Sequence, residues 1–129
     1  MSKLDEFLNL RDVSEIREDV KIKVDGKDLV LGVRPLTESE HSDFQNRAYK
    51  MVGNKMMMNL PKYTKMVLDA CIVEPNFHNP EFLKKAKCST FEEFLDKKFP
   101  AGVLSDVMNA IQKLSGFDSY EMEIENAKN

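Results

Sequence analysis

The sequence has too little glycine for a nucleotide-binding loop: its five glycines are scattered, and neither GxGxxG nor GxxxxGKS/T can be written from them. Cysteine is equally scarce. Cys71 and Cys88 show no CxxC or Cys/His spacing, and His41 and His78 do not complete a zinc set, so a reduced cytosolic protein with no metal and no cofactor is expected. No apolar run approaches the 18 or so residues of a membrane span. The opening MSKLDEFLNL is acidic and amphipathic, where a signal peptide is basic and then apolar. A basic footprint is missing too, since the net charge is -3 and the pI about 5.5, which argues against a dedicated DNA-binding domain. These absences place the chain in the cytoplasm, away from membranes and with nucleic acid a disfavoured partner.

What is present is a chain of 129 residues with 19 basic and 22 acidic side chains and 42% hydrophobic residues, which reads as one soluble globular domain. Such a chain buries roughly two thirds of its unfolded surface, so its core needs no disulfide or metal. Leu4, Phe7 and Leu8 put one apolar stripe on a short N-terminal helix that cannot be stable alone. The period then changes to two, with Val20, Ile22 and Val24 alternating against Lys21 and Lys23 before Asp25-Gly26. Asp-Gly suits a two-residue type I′ turn. A β-hairpin over residues 19–34 follows, with Ile22 opposite Leu29, Val20 opposite Leu31 and Lys23 opposite Asp28.

The remainder reads as helical. Thr37 to Glu40 is a capping box, and His41, Phe44, Ala48 and Met51 carry a helix to about residue 51, where Gly53-Asn54 interrupts it. Pro61 opens another helix, with Tyr63, Met66, Val67, Ala70 and Cys71 inward and Glu74-Pro75 ending it. Asn79-Pro80 caps a short helix with Phe82, Leu83 and Ala86 inward, and Ser89 or Thr90 caps the next, with Phe91, Phe94 and Leu95 inward. The last helix has the widest stripe, from Val103 through Leu104, Val107, Met108 and Ile111 to Leu114, with Gly116 after its end and Phe117 placed to fold back on Ile111. The expected fold is α+β and mostly helical: one hairpin packed on a layer of about five helices. Residues 1–117 form the single globular domain. Residues 118–129, four acids to one lysine, read as an acidic flexible tail that is either frayed or ordered by a partner.

No catalytic spacing stands out. Cys88 lies next to a helix start, where the dipole favours a thiolate, although a buried or plain surface cysteine is the commoner case. His41 on an apolar helix face reads as structural, and His78 has no visible partner. Two features rise above this background. Between Asp43 and Asp69 there is no acid, while Arg47, Lys50, Lys55, Lys62 and Lys65 supply five positive charges, and five of the eight methionines fall in the same stretch. Methionine moulds itself to varied apolar partners, and lysines beside it attract an acidic peptide. The plainer reading is a Met-rich loop that packs on its own core behind a solvated lysine edge. Met66 reads as core and Met51 as half-buried at the end of its stripe. The consecutive Met56, Met57 and Met58 cannot share one face, so with Lys55 and Lys62 they form the candidate protein-binding site. The second feature is the acidic tail.

Taken in order, VRPLTESEHSDFQ, a helix closing as ACIVEPNF, an amphipathic helix ending QKLSGFD and a terminus ENAKN resemble the small tail assembly chaperones of tailed phages. The type is that of contractile-tailed prophages of Gram-positive bacteria, and the likeness covers roughly residues 18–129. The resemblance implies a non-enzymatic protein that binds the tape measure protein during tail assembly and is absent from the finished virion. The tail tube protein and a frameshifted longer form of the chain are further candidate partners. Ala127-Lys128-Asn129 can be written GCA-AAA-AAY, which contains the slippery heptamer A-AAA-AAY. No catalytic residue is carried over. Two other functions fit the same residues: a small adaptor or structural protein that stays in the virion, and a nucleic-acid-binding module using Arg47 to Lys65. Presence in purified particles marks the first, and steeply salt-dependent DNA binding the second.

Overall fold

Asp25 and Gly26 both take positive φ, 54° and 73°, the geometry that a type I′ turn demands of its two central residues. Around them β1 (Glu18–Val24) and β2 (Lys27–Val33) pair antiparallel, with Ile22 opposite Leu29, Val20 opposite Leu31 and Lys23 opposite Asp28. The register matches the expected one. The fold is that of a computed structural model and is described for residues 2–117, so the tail assigned to residues 118–129 lies outside the described residues.

Six α-helices accompany the strands among the described residues: α1 (Lys3–Leu8), α2 (Glu38–Ala48), α3 (Leu60–Cys71), α4 (Pro80–Lys85), α5 (Phe91–Lys98) and α6 (Ala101–Leu114). Three of their starts fall at caps read from the sequence, with Thr90 rather than Ser89 capping α5. Thr37 closes a reciprocal capping box with Glu40, Asn79 accepts from the Glu81 and Phe82 amides ahead of Pro80, and Thr90 accepts from the Glu93 amide. The end of α6 is a Schellman motif: the Phe117 amide donates to the Gln112 carbonyl and the Gly116 amide to that of Lys113, at 2.9 and 3.1 Å.

The sequence reading differs from the structure in two places. The helix expected to reach residue 51 stops at Ala48, and Tyr49–Val52 (β3) pairs with Lys55–Met58 (β4) in a second hairpin. The i, i+3 stripe runs one turn past the helix because Gly53, at φ 64°, closes a two-residue turn that pulls both flanks into strands. The helix expected to run to Glu74 ends at Cys71. Ile72–Glu74 (β5) then pairs antiparallel with β2, giving a three-stranded sheet ordered β1-β2-β5. The described residues thus hold two hairpins where one is expected.

The core lies between the inner face of that sheet and α3, α5 and α6. Ile22, Leu31 and Val33 meet Val67, Leu68 and Cys71, Phe91 and Leu95, and Val107, Met108 and Ile111 in one buried cluster. Phe77, just ahead of α4, stacks on Phe91 with ring centroids 4.9 Å apart and contacts Phe82 and Phe94, tying the 75–90 segment to α5. Arg34 leaves the sheet and forks onto Glu40 at 2.8 and 2.7 Å. That bidentate pair pins the first turn of α2. Helix α1 stands apart: it buries no residue, and Leu4, Phe7 and Leu8 are 78%, 70% and 79% exposed.

Candidate protein-binding site

The β3–β4 hairpin is placed by the helices on either side of it. The Tyr49 amide caps α2 by donating to the Gln45 carbonyl. The Asn59 amide donates to the Ala48 carbonyl at 2.8 Å and closes the hairpin base, while the Asn59 side chain accepts from the Lys62 amide and starts α3. Four residues on each side pair, Tyr49 with Met58, Lys50 with Met57, Met51 with Met56 and Val52 with Lys55.

Cross-strand partners share a face and successive residues alternate, so the pairing sorts the side chains into two surfaces. One face carries Tyr49, Met51, Met56 and Met58 and has no charge. The other carries Lys50, Val52, Lys55 and Met57. Met58 is half-buried against the core, but Met56 is 62% and Met57 51% exposed, so the run of three methionines does divide between the faces. Met51 is 60% exposed rather than half-buried, because it stands on a strand beyond the core and not on a helix against it. Met66 on α3 packs against the core, as its stripe implied.

The cations of the stretch divide as well. Arg47 pairs with Asp43 at 3.4 Å and Lys65 with Asp96 at 3.3 Å. Lys50, Lys55 and Lys62 are exposed and have no acidic partner among the described residues. Hence Lys55, Met56 and Met57 lie together on an exposed hairpin, with Lys62 on the first turn of α3 below it. The sequence reading missed Tyr49, Lys50 and Val52 as members of this surface. Gly-Asn between two short apolar runs was the signal that would have found them.

The other singled-out side chains are accounted for by packing. His41 Nδ1 lies 2.8 Å from Tyr63 Oη and its ring 5.0 Å from that of Phe117, a structural histidine. His78, with no visible partner in the sequence, has Nε2 2.8 Å from Asp69 Oδ1 and its ring against Phe91. Burial pushes the Cys71 thiol up to about 12, and Cys88 is buried with Sγ 3.4 Å from the Ala86 carbonyl oxygen. No group of three or more His, Cys, Asp or Glu among the described residues is arranged to hold a metal ion. No described helix is long and apolar enough to cross a membrane.

The described residues form a small α+β domain with methionine and lysine side chains exposed on the β3–β4 hairpin. Residues 4–128 match the family described as phage XkdN-like tail assembly chaperone proteins, and the chain belongs to that family. Its role lies in the assembly of phage tails, with tail proteins as partners, and membership of a chaperone family implies a non-enzymatic role. No curated protein and no solved structure matches the chain.

Proposed function

We propose that the chain binds the tape measure protein while the tail is built, in the cytoplasm of the host bacterium, and leaves before the virion is finished. The observation that carries this reading is the β3–β4 hairpin, whose Met51, Met56 and Met57 are more than half exposed beside Lys50 and Lys55, which have no acidic partner among the described residues. A two-stranded hairpin is marginal in water by itself, and apolar side chains held off the core gain by packing on a client. Methionine suits a client whose sequence varies along its length, and the lysines select acidic stretches of it.

The test replaces Met56, Met57 and Met58 by serine or glutamine, checks the fold by circular dichroism and melting, and repeats a pull-down of co-expressed tape measure protein. A folded variant that still captures the client overturns the site. Purified virions should lack the chain; finding it there in stoichiometric amount favours the structural-protein reading. The same proposal includes a C-terminally extended form made by slippage at Lys128. Its codon is then AAA, with an overlapping downstream frame; AAG counts against it.

A further inference from the structure

The turn that closes the first hairpin also decides which backbone groups of β1 are free. Asp25 and Gly26 make a two-residue loop, so Val24 and Lys27 flank it as a hydrogen-bonded pair. Hydrogen-bonded and open pairs alternate along an antiparallel ladder. The N–H and C=O groups of Val20, Ile22 and Val24 therefore turn toward β2, and those of Asp19, Lys21 and Lys23 turn away from it. The same alternation sends Gly32 and Arg34 to the far side of β2, where Gly32 pairs with Glu74 and the Arg34 amide donates to the Cys71 carbonyl. β1 is an outer strand of its sheet, and among the described residues no main-chain bond reaches its free edge.

We infer that β1 pairs antiparallel with β1 of a second copy across a two-fold axis at Lys21, joining two three-stranded sheets into one. That axis sets Asp19 opposite Lys23 of the copy and Val20 opposite Ile22 of the copy. Side chains keep their faces in this register, because Val20 and Ile22 point inward in each copy while Asp19 and Lys23 are exposed. The free groups of Asp19, Lys21 and Lys23 then close the hydrogen-bonded pairs of the new ladder, and Val20 and Ile22 fall at the closer, open pairs between them. Apolar meets apolar, and an acid meets a lysine on either side of the axis. Lys21 faces its own copy on the axis. The wider spacing of a hydrogen-bonded pair separates the two ammonium groups, and their repulsion keeps the dimer reversible.

A strand edge that bears lysine alone resists pairing, and the edges of the second hairpin are of that kind. β3 and β4 carry Lys50 and Lys55 with no acid, so two copies repel there. β5, at the other side of the first sheet, is three residues long and runs into Pro75, which has no N–H to give. On β1, Asp19 and Lys23 stand four residues apart, the spacing that a two-fold axis midway between them turns into two ion pairs.

Sedimentation equilibrium of the full-length chain tests this without any client. The weight-average mass should climb with concentration from 14.9 kDa toward twice that value. D19K and K23D each replace two attractive pairs by two repulsive ones, and each should weaken the dimer at least about tenfold. Mixing the two variants should restore it, because the D19K copy then offers its lysines to the aspartates of the K23D copy; D19K/K23D in one chain should restore it as well. Lys21→Pro removes an N–H that points away from β2, so it should abolish the dimer while the circular dichroism of the folded chain is kept. A chain that stays at 14.9 kDa at millimolar concentration overturns the proposal. So does a dimer that D19K and K23D leave unchanged, or one that they break and neither the mixture nor the double variant restores. The charge swap decides the matter even where K21P unfolds.

Discussion

Replacing Glu40 by glutamine removes one charge from the point where the first hairpin meets α2. Its carboxylate takes both prongs of Arg34 and also accepts from the Thr37 amide and hydroxyl, each at 3.1 Å. The Arg34 guanidinium, with help from Thr37, holds the Glu40 carboxyl down from 4.5 to about 2 against the opposing effect of burial. That difference corresponds to about 3 kcal/mol. Because the Glu40 side chain is 26% exposed, solvent screening trims it to about 1.5–2.5 kcal/mol. For a chain of 129 residues, an unfolding entropy of about 2 cal/mol/K per residue makes this a drop of about 6–9 °C in Tm near neutral pH. The folded value lies below the unfolded one, so the contribution is complete above the ordinary carboxylate range and is lost as pH falls through 4.5 toward 2. Melting curves of both proteins at about pH 7, 5, 4 and 3 should therefore converge at the acid end. A gap that stays constant across this range refutes the argument, because a neutral hydrogen bond would produce it and a charge pair would not.

Three further substitutions or probes bear on the fold. Gly26→Val forces a β-branched residue to the positive φ of 73° and should cost about 1–3 kcal/mol in urea unfolding; an unchanged midpoint would contradict the turn geometry. Gln112 is fully buried, and neither its Oε1 nor its Nε2 has a partner among the described residues. Gln112→Met keeps the length, removes the unsatisfied amide and should raise stability by about 1–3 kcal/mol, whereas a lowered midpoint would mean that the amide is bonded after all. Cys71, fully buried with its thiol near 12, should react with an aromatic disulfide reagent only as fast as the chain unfolds; labelling of the native chain within the mixing time would place it at the surface.

The first hairpin was legible because three local signals agreed, the period-two stripe from Val20, the Asp-Gly turn and opposite charges at Lys23 and Asp28. Caps at Thr37 and Asn79 were legible for the same reason, since a cap is a contact within four residues, and the cap of α5 was narrowed to Ser89 or Thr90. The second hairpin was not, because each of its strands is four residues long and Met51 also continued a helical stripe. Strand β5 could not be read from Ile72–Glu74 alone. Its pairing with β2 spans some forty residues of sequence, and the bond from the Arg34 amide to the Cys71 carbonyl that precedes it is equally remote. For the site, the sequence identified the methionines and lysines. It did not show that alternation on two paired strands separates Met57 from Met56, adding Tyr49 to the face of Met56 and Lys50 to that of Met57.

The uneven burial of the methionines also ranks them by vulnerability to peroxide. Thioether oxidation to the sulfoxide makes a polar, chiral side chain and proceeds first where solvent reaches the sulfur. Met51, Met56 and Met57 stand in water, whereas Met108 is sealed in the core. Mild oxidation will therefore turn the hairpin's apolar face polar while the buried cluster, and with it the melting temperature, stays as it was. A preparation aged in air can look intact by every measure of folding and yet have lost the apolar character of this hairpin.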